Sequence, residues 1–299
     1  MSALALLVAC LLLGVVAARF ARPPIGLAQA LNWWVINLAL PAMILELIPT
    51  LRFDSQLWLL IVSQWLVFGG AFVLFRALGR RLGWSDGRIG ALTLVCGLSN
   101  TSFMGYPMIL ALRGQEGLAL AVVADQLGCF VMLALGGVLV AVIYGGAVAH
   151  PREIARRVLL FPAFLALLAG ALIGYTLGGW PPLLNDILHR IGSTLTPMAL
   201  FSVGLRMRLH LTRDQLGAAT LGLAWKLLLA PLAIFALGRA TGASGLLLTV
   251  AVLQSGMAPM ISAAILADQH HLDPPLANTV LGFGILLSLV TVPLANWLL

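Results

Sequence analysis

Charge is scarce in this chain. Only 9% of its 299 residues are Asp, Glu, Lys or Arg, and a single lysine, Lys226, stands among the seventeen basic residues. The most polar stretch, His150 to Arg157 (HPREIARR), is short, and no Ser/Pro-rich or acidic segment accompanies it. So little polar surface leaves no room for a sizeable water-soluble domain. Cysteine is scarce too: Cys10, Cys96 and Cys129 each lie inside an apolar run. Their spacing gives neither a disulfide framework nor a metal site, so they read as small packing residues.

Motifs of catalysis are missing as well. There is no HExxH, no Walker motif and no pair of catalytic carboxylates. The five histidines, His150, His189, His210, His270 and His271, read as loop residues, which leaves Ser255 without a base in reach. The Asp268-Gln269-His270-His271 cluster reads as solvated, not metal-binding. Enzyme chemistry, a metal and a cofactor are therefore not expected. The net charge of +7 would suggest nucleic acid in a soluble protein. Here the arginines mark membrane orientation, and nucleic-acid binding is excluded.

What is present in quantity is apolar sequence. Hydrophobic residues make up 61% of the chain, mean hydropathy is +1.05, and runs of about 20 apolar residues, each enough for one bilayer crossing, recur throughout. An all-α integral membrane protein follows. The first run, Ala3 to Ala18, lacks a basic leader and is followed by Arg19 and Arg22, so it reads as an uncleaved first helix. Ten spans are predicted, at 3–20, 26–48, 56–78, 89–112, 117–145, 156–178, 183–205, 215–238, 245–267 and 275–298. Twelve arginines (19, 22, 76, 80, 81, 88, 152, 156, 157, 206, 208 and 213) fall on one side of these spans, and four (52, 113, 190 and 239) on the other. The asymmetry predicts a multi-pass protein of the cytoplasmic (inner) membrane with both termini on the non-cytoplasmic side.

The two halves resemble each other. Residues around Pro41 (ALPAMIL) match those around Pro197 (LTPMALF), Leu92-Thr93-Leu94-Val95 matches Leu248-Thr249-Val250-Ala251, and Leu78-Gly79-Arg80 recurs as Leu237-Gly238-Arg239. Repeats at 1–147 and 148–299 would hold five helices each. An odd number makes the copies inverted with respect to one another.

One feature of each repeat conflicts with a plain helix. Leu92 to Leu112 reads LTLVCGLSNTSFMGYPMILAL, with Asn100, Thr101, Gly105 and Pro107 where regular backbone bonding is needed. The ninth span carries Gln254-Ser255-Gly256-Met257-Ala258-Pro259. Lipid does not tolerate unpaired backbone groups unless protein or a cavity covers them. Helices broken near the midplane are how secondary transporters build sites from exposed backbone and half-helix ends. Two positive half-helix ends meeting there would attract an anion, with Asn100, Thr101, Gln254 and Ser255 to orient a carboxylate. Lys226, in the middle of the eighth span, and Asp125, two turns into the fifth, are intramembrane charges and hence functional candidates. Asp125 reads either as the carrier of a coupling proton or as a structural polar contact. Lys226 reads as an anion-attracting or a structural group. Glu46 reads as interfacial. Gly170, Gly174 and Gly178 have the spacing of close helix packing, within the fold or between subunits.

These residues resemble a known family. Asn100 to Gln126 (NTSFMGYPMILALRGQEGLALAVVADQ) is similar to the first-half signature of the auxin efflux carrier family, and Met257 to Leu294 is similar to its second-half pattern. The resemblance implies ten helices in two inverted repeats. Helices 1, 2, 6 and 7 would form a scaffold that often dimerises, and helices 3–5 and 8–10 a mobile transport domain moving as an elevator. Helices 4 and 9 would be broken and cross. It also implies that Asn100, Pro107 and Pro259 are crossover residues and that Asp125 is the acidic residue after the first crossover. Gly256 stands where a second Asn would be expected. The short segment at 147–155 is similar to compact prokaryotic members, whose substrates are organic acids such as malonate or malate. The expected partners are thus a small organic anion and the lipid bilayer, with proton coupling or facilitated diffusion. A sodium-coupled symporter of the bile acid type and a ligand-binding receptor without net transport remain as other readings.

Overall fold

A computed structural model describes residues 2–21, 23–51, 55–146, 151–207 and 212–299. Arg22, Arg52, Arg208, His150 and His210 lie outside the described residues. The elements are helices: α1 (Ser2–Val16), α2 (Leu27–Thr50), α3 (Trp58–Arg81), α4 (Asp86–Gly97), α5 (Thr101–Gly145), α6 (Pro151–Leu159), α7 (Pro162–Leu177), α8 (Pro182–Ser193), α9 (Leu195–Arg206), α10 (Arg213–Ala240), α11 (Gly245–Ser255), α12 (Ile261–Gln269) and α13 (Pro274–Leu298). Among the described residues there is no strand, and extended backbone pairs only where Ser99 meets Pro259.

Local chemistry sets the helix ends. Ser85 caps α4 by accepting from the Arg88 N–H at 3.2 Å, and Asp273 caps α13 by accepting from the Leu276 N–H at 3.3 Å. Pro162, Pro182 and Pro274 open α7, α8 and α13, where a missing N–H costs nothing. Gly146 and Gly178 end α5 and α7 in the left-handed conformation.

Five of these helices, α2, α3, α5, α10 and α13, are long and apolar enough to cross a bilayer unaided. The protein is thus an integral membrane protein. The remaining apolar helices are shorter because the chain interrupts them. The predicted span 89–112 divides after Gly97, and the part beyond Asn100 runs on into the next span as α5. A break in helical geometry at Gly114 (φ 66°) marks the join inside α5. The span 245–267 divides into α11 and α12. The first interruption starts earlier than expected, whereas the second falls within the expected stretch around Gly256 to Pro259. The first lies at Leu98–Asn100, ahead of Pro107, which instead stands in the first regular turn after the π-wound stretch Thr101–Gly105. Proline is tolerated at such a helix start and would break a helix interior. The second lies at Gly256–Met260 and contains Pro259.

The chain divides into two compact units. The first comprises residues 1–55, 102–122 and 156–207. Its helices approach closely at glycines. A side chain on Gly14 of α1 or Gly204 of α9 would overlap the other helix's backbone. Gly170 and Gly174 of α7 lie against Ile48 and Pro49, so the glycine spacing of this helix serves packing within the unit, and Gly178 ends the helix. Trp34 Nε1 donates to Thr194 Oγ1 at 2.9 Å, and Ser202 donates to Asn32 at 2.5 Å.

The second unit comprises residues 56–101, 123–155 and 208–299. Its core is built from Phe68 and Phe75 of α3, Leu92 and Leu94 of α4, and Leu276 and Val280 of α13. At one end Arg88 of α4 reaches Asp273 at 3.0 Å and Asp214 at 3.1 Å, joining the starts of three helices. Leucines such as Leu216, Leu228 and Leu232 of α10 are exposed, as a helix facing lipid requires.

The glycine contacts give a direct test. Gly204→Ala is expected to destabilise the protein by about 1–3 kcal/mol, because the added carbon meets the Leu11 carbonyl oxygen. Gly69→Ala on α3, where nothing lies within 4 Å of the added carbon, is expected to be neutral or stabilising by up to about 1 kcal/mol. Thermal unfolding in detergent compares them, and equal shifts would contradict the packing account.

Candidate functional site

Interrupting α4 and α11 exposes backbone groups in an apolar interior, where each unpaired group costs several kcal/mol. The two interruptions satisfy each other. The Asn100 N–H donates to the Ala258 carbonyl at 2.8 Å, and the Met260 N–H donates to the Leu98 carbonyl at 3.1 Å, on either side of the Ser99–Pro259 bridge. Pro259 fits because residue 284 of α13 is glycine. A side chain there would overlap the proline ring.

The carbonyls left at the ends of the broken helices are met by side-chain donors. Lys226 Nζ donates to the Ser255 carbonyl at 2.7 Å and to the Ser99 hydroxyl. The Cys129 thiol donates to the Ser99 carbonyl at 3.1 Å, and Gln254 Nε2 to the Thr101 carbonyl at 3.4 Å. The Thr101 hydroxyl donates to Asp125, whose second oxygen accepts from Gln126 Nε2 at 2.7 Å. Gln64 Nε2 donates to the Ser255 hydroxyl at 3.4 Å, and that hydroxyl donates to the Ala251 carbonyl at 2.7 Å. The Ser255 hydroxyl is thus engaged with backbone and an amide, neither of which could activate it as a nucleophile.

All of these polar residues are buried, Lys226 and Ser255 completely so. Two local devices make room for them. Asp125 and Gln126 lie in the π-wound stretch Ala124–Cys129, and Lys226 in another, Trp225–Leu229. Such single-turn expansions alter which side chains share a face and often mark functional sites. The missing side chain of Gly128 admits Gln64, and that of Gly70 admits the Trp225 ring.

Among the buried polar atoms here without a hydrogen-bond partner are two donors, Asn100 Nδ2 and Trp225 Nε1, and an acceptor, Gln126 Oε1. One of the three ammonium N–H groups of Lys226 is likewise left over after its two bonds. Met260, which precedes the first helical N–H groups of α12, makes no side-chain cap bond to them. Donors therefore predominate among the unused groups, together with a positive helix end.

Of the residues singled out from sequence, Asn100, Thr101, Asp125, Lys226, Gln254, Ser255 and Pro259 come together within the second unit. Pro107 belongs to the first, in a cavity of about 280 Å3 lined among others by Met43, Glu46, Gln115 and His189. His189 is not a loop residue. It stands in α8, and its Nδ1 lies 2.8 Å from Glu46 Oε1. Of the described histidines, His270 and His271 follow α12, and no group of metal-ligating side chains forms among the described residues. From sequence, Ser99 is only part of the broken segment, Cys129 reads as a packing residue, and Gln64 and Gln126 carry no site role. A glutamine inside an apolar span was the available signal for two of them, whereas serine and cysteine at such depth are too common to stand out.

Comparison with known proteins finds membrane transporters. The family model described as membrane transport protein matches residues 1–296. An uncharacterized transporter of Methanothermobacter thermautotrophicus is 29% identical over 270 residues, covering 89% of this chain and 87% of that protein. An uncharacterized transporter of Methanocaldococcus jannaschii is 25% identical over 279 residues, covering 91% and 90%. Auxin efflux carrier component 2 of Oryza sativa is 34% identical over 111 residues, 36% of this chain and 18% of that protein.

Asp125 and Lys226 join one network through Thr101 and Ser99, so their contributions are expected to be coupled. A double-mutant cycle of Asp125→Asn and Lys226→Met, read by thermal unfolding, should return about 1 kcal/mol or more of interaction. Additivity within about 0.5 kcal/mol would mean that the two charges act separately.

Proposed function

The chain belongs to the membrane transport protein family, that of the auxin efflux carriers, and from that premise we propose that it is a secondary transporter of small organic anions, carboxylates or dicarboxylates of the size of malonate or malate. The observation that carries the reading is the excess of unused donors at the meeting of the two broken helices. The Asn100 amide, the remaining Lys226 N–H and the start of α12, to which Met260 lends no cap, offer hydrogen bonds and positive charge, which a carboxylate accepts.

Several features support the finer parts of this proposal. Helices α8, α10 and α11 begin 155, 155 and 159 residues after α2, α3 and α4, as two five-helix repeats require. The inverted arrangement, with crossing broken helices, both termini outside the cytoplasm and placement in the inner membrane, is the reading that the odd helix number and the arginine asymmetry favour. The first unit takes in α1, α2 and α7–α9 and the second the polar cluster. Two such bodies suit a mechanism in which the substrate-bearing unit moves against a scaffold. Proton coupling or facilitated diffusion is favoured over sodium. The Lys226 ammonium already occupies the carbonyl and hydroxyl that a sodium ion would seek.

The test is uptake of radiolabelled malonate and malate into proteoliposomes under imposed proton or sodium gradients. Flux is expected, with Asn100→Ala and Lys226→Ala each lowering it at least about tenfold, since each removes a contact to a charged group worth roughly 1.5–3 kcal/mol. Sodium-dependent flux at fixed pH would overturn the coupling, and unchanged flux in both variants would overturn the site. In a second experiment, Asp125→Asn is expected to flatten the pH profile of uptake. A profile that survives the change would assign the proton elsewhere.

A further inference from the structure

Gln126 holds a buried acceptor atom without a hydrogen-bond partner beside the broken helices. Its Nε2 donates to Asp125 Oδ2 at 2.7 Å, whereas its Oε1 is buried with no partner. Neighbouring residues on a regular α-helix do not face one another. In the π-wound stretch Ala124–Cys129 these two side chains nonetheless meet. The arrangement suits an ionised Asp125, both of whose oxygens accept, one from Thr101 and one from Gln126. A protonated Oδ2 would set an O–H against an N–H, donor against donor.

We propose that Gln126 is a positioning residue that converts protonation of Asp125 into a stronger anion site. The proposal rests on the anion reading given above. When a proton binds Oδ2, the amide turns by half a rotation about its last torsion, a broad and nearly two-fold one. Oε1 then accepts from the new carboxyl, and Nε2 takes the place of the unpartnered acceptor. No bond other than the new O–H forms or breaks. An acceptor that repels an anion is exchanged for a donor that attracts it, while Asp125 loses its negative charge. Before protonation Lys226 and Asp125 cancel. Afterwards the cluster carries a net positive charge and presents donors from Asn100, Lys226 and Gln126. Reciprocity makes anion binding draw in a proton by the same factor.

The competing place for the proton is Asp125 Oδ1, with Thr101 turning its hydroxyl to the Ser99 carbonyl. That contact is long, 3.4 Å, and the carbonyl already accepts from the Thr101 N–H and the Cys129 thiol. Protonation at Oδ2 satisfies Oε1, and protonation at Oδ1 leaves it unsatisfied. The other titratable groups near the pair are Lys226, Cys96 and Cys129, which lie close enough to interact with one another's charge. Along α3 the first titratable group is Arg76, and in the part of α5 that follows this stretch it is Tyr144; Tyr106, Arg113 and Glu116 stand earlier in α5.

Infrared spectra of the full-length protein in lipid, with 13C-labelled glutamine, test this without substrate. The titration runs from about pH 4 to about pH 10, a range bracketing buried carboxylates. Asp125→Asn identifies the carboxyl band. Expected is a labelled glutamine band that shifts at the pH where the Asp125 carboxyl appears and that is lost in Gln126→Leu. A silent glutamine band, a shift that persists in Gln126→Leu, or no titration of Asp125 would each overturn the proposal. Malonate is then added at the midpoint pH. It is expected to raise the protonated fraction in the wild type, with an effect at least about threefold weaker in Gln126→Leu. Equal effects would overturn the coupling. No effect in either protein would overturn the anion reading itself, and the ligand-free spectra decide the amide rotation separately.

Discussion

Backbone amides and carbonyls must find partners wherever water is absent, and the second unit is organised by how it meets that demand. A regular helix meets it internally. Here two helices stop short, and each supplies what the other lacks through the paired backbone at Ser99 and Pro259. The pairing accounts for the Asn100 and Met260 N–H groups and the Leu98 and Ala258 carbonyls. Other carbonyls are met by the ammonium of Lys226, the thiol of Cys129 and the amide of Gln254, and this recruitment draws charged and polar residues into an apolar interior. Binding chemistry and structural repair are therefore the same set of atoms. A residue such as Lys226 holds the fold together and retains an N–H for a visitor.

Glycine makes this economy of space workable. At Gly284 the absent side chain is occupied by the Pro259 ring, at Gly128 by Gln64 and at Gly70 by Trp225. In the first unit the same device brings α1 and α9 to backbone contact and seats α7 on α2. Without water to squeeze helices together, close dispersion contact is the main source of cohesion in lipid. Small residues are what permit it.

Much of this was legible in the sequence, because intramembrane polarity is rare enough to carry information. The clusters before Pro107 and Pro259 announced interrupted helices, and Lys226 and Asp125 stood out as charges among apolar neighbours. The details escaped for physical reasons. A proline marks strain near a break but not which side of it the chain leaves the helix, so the first interruption was placed several residues late. Winding with an extra residue per turn has no composition signature, so the adjacency of Asp125 and Gln126 could not be seen. His189 falls inside the predicted span 183–205, so its helical place follows from the span and not from its reading as a loop residue. The division of α5 between two units depends on contacts distant in sequence, which no local pattern encodes.

The backbone pairing at Ser99 and Pro259 joins residues 160 positions apart, and that separation has a consequence for biogenesis. When the ribosome has delivered α4, the groups at Leu98 and Asn100 have no partner, and none exists until the chain around residue 260 has been made. At about 5–20 residues per second, the nascent first half waits on the order of ten seconds with unmet polar groups inside a hydrophobic segment. The insertion machinery, or water retained beside it, has to shelter that segment until its complement arrives. The protein can thus be integrated helix by helix, but its centre closes only near the end of translation.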